Sequence, residues 1–298
     1  MIGLIPFTIA AAGQTREVDW SCDWMLADPS ASPGIGILLL KRAMAASKGV
    51  IGLGGNETTR KLIPRIATRT VPDAALTLHL LLRSGALLEK LERRLARVPL
   101  RAPEFLRRLP LRWVPRSARE TGVRTETGVA PTIAPLLDVD CSLGWHPQYD
   151  FDYVDWQVGR CPTLISATSY APGSAAPHAV AVYWRPRAST TFWRMAVWWN
   201  EEHPGRFDAV VREAISQVYE RGGAALSVIV SRFDGPLISR LKAAGFVAWG
   251  NPRAVYLCAG ARSTEPLPEL SGLSYLDTDL AYRFYEHPHR RGTEESVG

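Results

Sequence analysis

The sequence contains no uninterrupted apolar run long enough to cross a bilayer as a helix. It also lacks any C-x-x-C pair. Its four cysteines (Cys22, Cys141, Cys161, Cys258) are scattered, which argues against a disulfide framework and a structural zinc site and fits a reducing cytoplasm. The six histidines are dispersed, with only His287 and His289 close together, so no metal site is expected. No tyrosine occurs between Met1 and Leu82. The start of the chain, Met1 to Ala12, is apolar and ends in small side chains, as a secretory leader does. It has no basic start, however, and Pro6 breaks the run, so it reads as a strand.

What remains is the composition of a globular protein, with 46% hydrophobic and 21% charged residues in 298. One or two domains is the expectation at this length. The net charge of +6 is concentrated. Between Leu87 and Arg124 eleven basic residues face four acidic ones, an excess of seven that leaves the rest of the chain near neutral. The Pro-, Arg- and Thr-rich stretch over 99–135 reads as a linker or inserted arm.

The first half is organised around Asp28-Pro29-Ser30-Ala31-Ser32-Pro33-Gly34-Ile35-Gly36. A strand over 17–26 leads in, with Val18, Trp20, Cys22, Trp24 and Leu26 on one face and Glu17, Asp19, Ser21, Asp23 and Met25 on the other. An amphipathic run through Leu38, Leu39, Ala43 and Ala46 leads out. A glycine turn opening a helix leaves main-chain N–H groups unpaired at the positive end of the helix dipole, a site suited to phosphate. Pro33 suits a first helical turn, and Gly34 and Gly36 let a ligand reach the backbone. An ordinary helix start is the plainer account of the same residues.

A strand over 49–53, a helix over 57–67 capped by Asn56 and kinked or ended early by Pro64, and a strand over 74–82 follow. Strand, helix, strand, capped helix, strand then recurs in the second half. Gly34 corresponds to Gly205, and Asn56 to Asp234. Two related α/β units are expected, rather than one continuous sheet.

With these residues in place, the sequence resembles the GNAT superfamily of acyl-CoA N-acyltransferases, as a tandem pair. That family's signature reads Arg or Gln, two residues, Gly, any residue, Gly or Ala, and its amides bind the pyrophosphate of coenzyme A. Gly34 and Gly36 match the glycines, while Ala31 stands where Arg or Gln is expected. The resemblance implies an α/β (α+β) fold of two GNAT-like modules, each a mixed, mostly antiparallel sheet flanked by helices. It places them at 1–83 and 139–260, with a helix and basic linker over 84–138 and a tail over 261–298. It implies transfer from acetyl-CoA to an amine of a small molecule, sugar or protein by direct attack on the thioester. Coenzyme A contacts are then expected at Met25, Leu26, Ser32, Gly34, Ile35, Gly36 and Asn56.

Two departures matter. Only two strands precede the glycine turn, fewer than the family has, so the start is truncated or that edge is covered by other parts of the chain or a partner. The second unit's turn reads Glu201-Glu202-His203-Pro204-Gly205-Arg206, whose carboxylates would repel a pyrophosphate, so no donor is expected there. The run from Asp152 to Gln157, with Pro162, looks like the opening of the second module in tandem members tied to surface polysaccharide or peptidoglycan assembly.

Acylation of an amine needs a neutral nucleophile, a polarised carbonyl and a proton for the departing thiolate. Asp19 and Asp23, on one strand face, are the candidate bases, against the plainer account of a solvated face. A tyrosine acid must come from the second unit, where Tyr149, Tyr153, Tyr170 and Tyr183 are candidates. Glu201 and Glu202 could hold a substrate amine, or be a solvated turn. Six of the ten tryptophans lie between Trp145 and Trp199, and packing is the commoner use of them. Two other functions stay open: a non-catalytic scaffold with this fold, and a peptidoglycan-type aminoacyl transferase drawing on tRNA. No specific nucleic-acid partner is expected, and a homodimer is allowed.

Overall fold

A computed structural model describes residues 3–22, 34–54, 57–85, 87–88, 103–111, 122–137, 144–174, 176–186, 192–200, 202–261, 267, 268, 270 and 273. β1 (Gly3–Ala11) and β2 (Gln14–Cys22) form a hairpin in which Ala11 faces Gln14. The loop is therefore Ala12-Gly13, at φ 48° and 75°, a two-residue turn of type I′ whose twist matches the strands. The expected alternation holds along β2: Val18 and Trp20 are buried, while Glu17 is exposed.

α1 (Gly34–Ala46), β3 (Gly49–Leu53), α2 (Glu57–Leu62) and β4 (Arg69–Leu81) complete the first half. α2 ends before a 3-10 turn over Ile63–Arg65, the early stop expected of Pro64. Then come α3 (Glu104–Arg107), β5 (Arg124–Thr127), α4 (Ala134–Leu137), β6 (His146–Gln148) and α5 (Phe151–Val154). The second half holds β7 (Leu164–Ala171), β8 (Ala179–Pro186), β9 (Phe192–Trp199) and α6 (Pro204–Glu220). It closes with β10 (Ala225–Ser231), α7 (Gly235–Ala243), β11 (Val247–Ala248) and β12 (Arg253–Ala259). The expected caps are present: Asp234 accepts from the Leu237 N–H at 3.1 Å, and Gly245 takes φ 92° beyond α7.

The order of elements repeats as expected, but the two units do not keep separate sheets. Twelve strands form one sheet, in the order β5-β7-β8-β9-β10-β4-β12-β3-β2-β1-β6, with β11 also pairing with β4. The joint is a reciprocal exchange. Residues 75–81 of β4 lie between β10 and β11, and β12 lies between β3 and the first part of β4. β4 changes partner at Pro72-Asp73, where Asp73 has φ 52° and β12 shifts register between Arg253 and Val255. A proline without an N–H and a bulge together let one strand leave one ladder and join the next.

The outer edge of β1 is covered from within the chain: β6 pairs with β1, Thr8 facing Gln148 and Ala10 facing His146. The sheet's outer strands, β5 and β6, have four and three residues, short edges that offer little to another chain.

Part of the stretch expected to be linker belongs to the fold. β5 pairs with β7, and Ala130, Ile133, Leu136 and Leu137 are buried on one sheet face with Val180, Trp184, Ile229 and Val255. The other face carries α6 and α7 over the second half, and α1 over β3 and Cys258. α6 presents Phe207, Val210, Val211, Ala214, Ile215 and Val218, as its spacing predicts. It meets a strand surface rich in Ala167, Ala171, Ala179 and Ala181, whose small side chains admit a helix closely. Trp184 and Trp193 are fully buried, so for them packing is the outcome. Leu267, Leu270 and Leu273, from the stretch expected to be a tail, are buried against the first face. Leu267 fills the space where a side chain on Gly49 would stand.

Candidate active site

Among the described residues two strand pairs are parallel, one in each half, and both open at their C-terminal ends. β2 and β3 pair only at Asp19 with Val50 and Trp20 with Ile51. At the end of this pairing the Ser21 hydroxyl also donates to the Ile51 carbonyl, at 3.1 Å. A substituent on Gly52 would stand 3.0 Å from Ser21 Oγ, so glycine leaves room for that hydroxyl. β3 then runs to Leu53, and α1 begins at Gly34. Parted strands carry main-chain donors and acceptors that a ligand of extended amides could satisfy.

At the head of α1, nothing among the described residues stands within 4 Å of where a side chain on Gly36 would be, and no acidic residue stands in the first helical turn. Both features suit an anion there, by access and by charge. Ile35 is exposed on the same turn. Asp23, Met25, Leu26, Ser32 and Asn56 lie outside the described residues.

The second half opens likewise. β9 and β10 pair at four positions, ending at Met195 with Val228. Here too the helix start is exposed, from His203 to Arg206, and nothing described stands within 4 Å of where a side chain on Gly205 would be. Arg240 lies 4.8 Å over the Trp199 ring and reaches Asp208 and the Pro204 carbonyl in the first turns of α6. Trp199 in turn leans on Phe207, with ring centres 5.0 Å apart. Glu202 is exposed, and its N–H donates to Asn200 Oδ1 at 2.9 Å. Glu201 lies outside the described residues.

A cavity of about 770 Å³ lies beside β1 and β2, on the side of β2 where β3 has not yet begun. Asp19, Glu17 and Lys48 line one wall, and Tyr149, Asp150 and Tyr153 another. Glu17 binds Lys48 at 2.7 Å, and that contact holds its carboxyl below the usual range, first by the hydrogen bond and then by charge. Asp150 caps α5, accepting from the Tyr153 N–H at 2.6 Å. Tyr149 stacks on Tyr153 and meets Trp198 edge-on. Among these four charged groups three are acidic, so the lining favours a cation.

Asp19 is half-buried, and its Oδ2 receives the Ser47 hydroxyl. That hydroxyl has one proton and a second acceptor within reach, the Gly49 carbonyl at 2.7 Å, while Gly49 N–H donates to it at 3.1 Å. Asp19 thus ties the turn between α1 and β3 and also faces the cavity.

The four tyrosines named from sequence separate. Tyr149 and Tyr153 line the cavity with Asp19. Tyr170 donates to Glu126 at 2.6 Å on the far side of the sheet order. Tyr183 is sealed beneath α6 against Ser169 at 3.1 Å, and burial pushes its hydroxyl up to about 12. Ser47 and Lys48 carry no sequence signal of their own; they reach the site through the register of β3 on β2.

No family model and no curated protein sequence matches this chain. Among solved structures it is similar to Saccharomyces cerevisiae N-myristoyltransferase with bound myristoyl-CoA and inhibitors. That match has a TM-score of 0.54 at 10% identity, over 93% of this chain and 70% of that one. A GCN5-related N-acetyltransferase from Anabaena variabilis gives 0.51 at 11% identity, over 86% of this chain and 58% of that one. The chain has the GNAT fold, a mixed and mostly antiparallel sheet flanked by helices.

Proposed function

We propose that the chain is an acyl-CoA-dependent N-acyltransferase that takes its donor, acetyl-CoA, in the first half. The observation that carries this reading is the opened β2–β3 pair, followed by a helix start where no described residue crowds Gly36. The pantetheine arm is an extended chain with two amides, the kind of group that completes parted strands. The pyrophosphate would lie on the α1 amides at Gly34, Ile35 and Gly36. The similar structures support it further, since one holds myristoyl-CoA and another is an N-acetyltransferase. In the second half the exposed carboxylate of Glu202 precedes the matching helix start and would oppose a pyrophosphate, which favours one donor site.

The acceptor is an amine, and the cavity beside Asp19 suits it through acidic and aromatic lining. Asp19, with Asp23, serves as base toward the ammonium, and Tyr149 or Tyr153 supplies the proton to the thiolate. The amine nitrogen attacks the thioester carbon; the C–N bond forms, the C–S bond breaks, and coenzyme A leaves as the thiol. The buried thiols of Cys161 and Cys258 fit the cytoplasmic location we propose.

Calorimetry with acetyl-CoA tests the donor site. Heat is expected with wild type and its loss with Gly34→Glu, whose carboxylate would oppose the pyrophosphate. No heat with wild type, or equal heat with both, overturns the reading.

A further inference from the structure

We propose that the segment joining the two halves docks the protein on an anionic lipid bilayer through an exposed apolar knob. Four of the nine large hydrophobic side chains exposed among the described residues gather here: Leu87 at 40%, Phe105 at 67%, Leu109 at 48% and Leu111 at 47%. They are brought together by main-chain bonds to the end of β4. Leu111 N–H donates to the Leu82 carbonyl at 3.0 Å, Ser84 N–H to the Leu109 carbonyl at 2.9 Å, and Arg83 bridges Pro110. The Ser84 hydroxyl adds a bond to the Leu106 carbonyl. A side chain on Gly85 would strike the Arg107 carbonyl at 2.8 Å, so the contact is close. The knob is therefore a fixed feature of the fold.

Exposed leucine and phenylalanine fixed together lose the hydrophobic contribution that burial would give, unless another phase takes them up. The charge of the same stretch of sequence identifies that phase. Arg107 and Arg108 sit in sequence between Phe105 and Leu109, and residues 87–124 carry the whole positive excess of the protein. Basic residues near a bilayer surface are drawn to anionic headgroups, while apolar side chains enter the acyl boundary. A nucleic acid would satisfy the arginines, but hydrated phosphates give leucine no gain, and base stacking would call for aromatic side chains where three of these four are aliphatic. No helix among the described residues is long and apolar enough to span a membrane, so attachment is to the surface.

The test is sedimentation of the full-length protein with phosphatidylcholine vesicles and with vesicles containing phosphatidylglycerol, at low and high salt. Wild type is expected to pellet with the anionic vesicles and to be released by about 1 M salt, where charge attraction is screened. Phe105→Ser with Leu109→Ser, and separately Arg107→Gln with Arg108→Gln, should each reduce the pelleted fraction several-fold with an unchanged circular dichroism spectrum. The proposal is overturned if wild type stays in solution with anionic vesicles, or if the serine pair pellets as wild type does. It is equally overturned if duplex DNA or RNA strips the protein from vesicles and binds the serine pair undiminished.

Discussion

Ser47 and Asp19 stand 28 residues apart in sequence and meet hydroxyl to carboxylate at the start of β3, beside the cavity. Ser47 is 3% exposed, so its hydroxyl cannot turn to water for a replacement partner. Ser47→Ala should lower stability by about 1–2 kcal/mol, read from urea unfolding. Asp19→Asn keeps an oxygen acceptor and should lose less than that. If Asp19 is the base, Asp19→Asn lowers kcat by at least about 100-fold, with KM little changed. An equal fall in stability and none in kcat would confine Asp19 to the turn.

Ala12 holds φ 48° at the tip of the β1–β2 hairpin with its side chain in solvent. A left-handed alanine is strained, and asparagine tolerates the conformation better. Ala12→Asn should raise stability by about 0.5 kcal/mol, and Ala12→Val should lower it by about 1 kcal/mol or more. Thermal unfolding compares the three.

The strand exchange makes the halves interdependent. A fragment of residues 1–138 lacks β12 and β6, so β3 and β1 lose their neighbours; residues 139–298 lack the β4 strand between β10 and β11. Each fragment alone is expected to be insoluble or unfolded, and co-expression should recover a soluble pair. A cooperative unfolding transition from either fragment alone would contradict the exchange.

His178 and His203 place their rings 3.9 Å apart, near Arg206. Burial first, and then the charges of His203 and Arg206, lower the His178 pKa below its usual 6.5. Below 6.5 the unfolded chain takes up this proton before the folded one does. Stability is therefore fully present above about pH 6.5 and declines as pH falls toward the folded value. His178→Asn should flatten the dependence of Tm on pH between about 7 and about 5. Equal slopes for variant and wild type would show that another group carries it.

Local pattern was enough for the elements. The alternation of Val18 and Trp20 against Glu17 and Asp19, the spacing from Phe207 to Val218, the Asp234 cap and Gly245 are short-range facts. Each is set by backbone period or by one side chain on the next turn. Gly34 and Gly36, and the recurrence of the same order of elements around Gly205 and Asp234, pointed to the fold that the solved structures share.

Which strand pairs with which lay beyond that pattern, because β4, β10 and β12 are all apolar, and pairing depends on neighbours far along the chain. Only the folded sheet decided that β4 changes ladder at Asp73, that β6 covers β1, and that Tyr149 joins Asp19 while Tyr183 is sealed under α6. A sequence records what each residue can do. Where a tyrosine from the second half and a carboxylate from the first come to share one cavity is settled by long-range packing, whose free energy no local window contains.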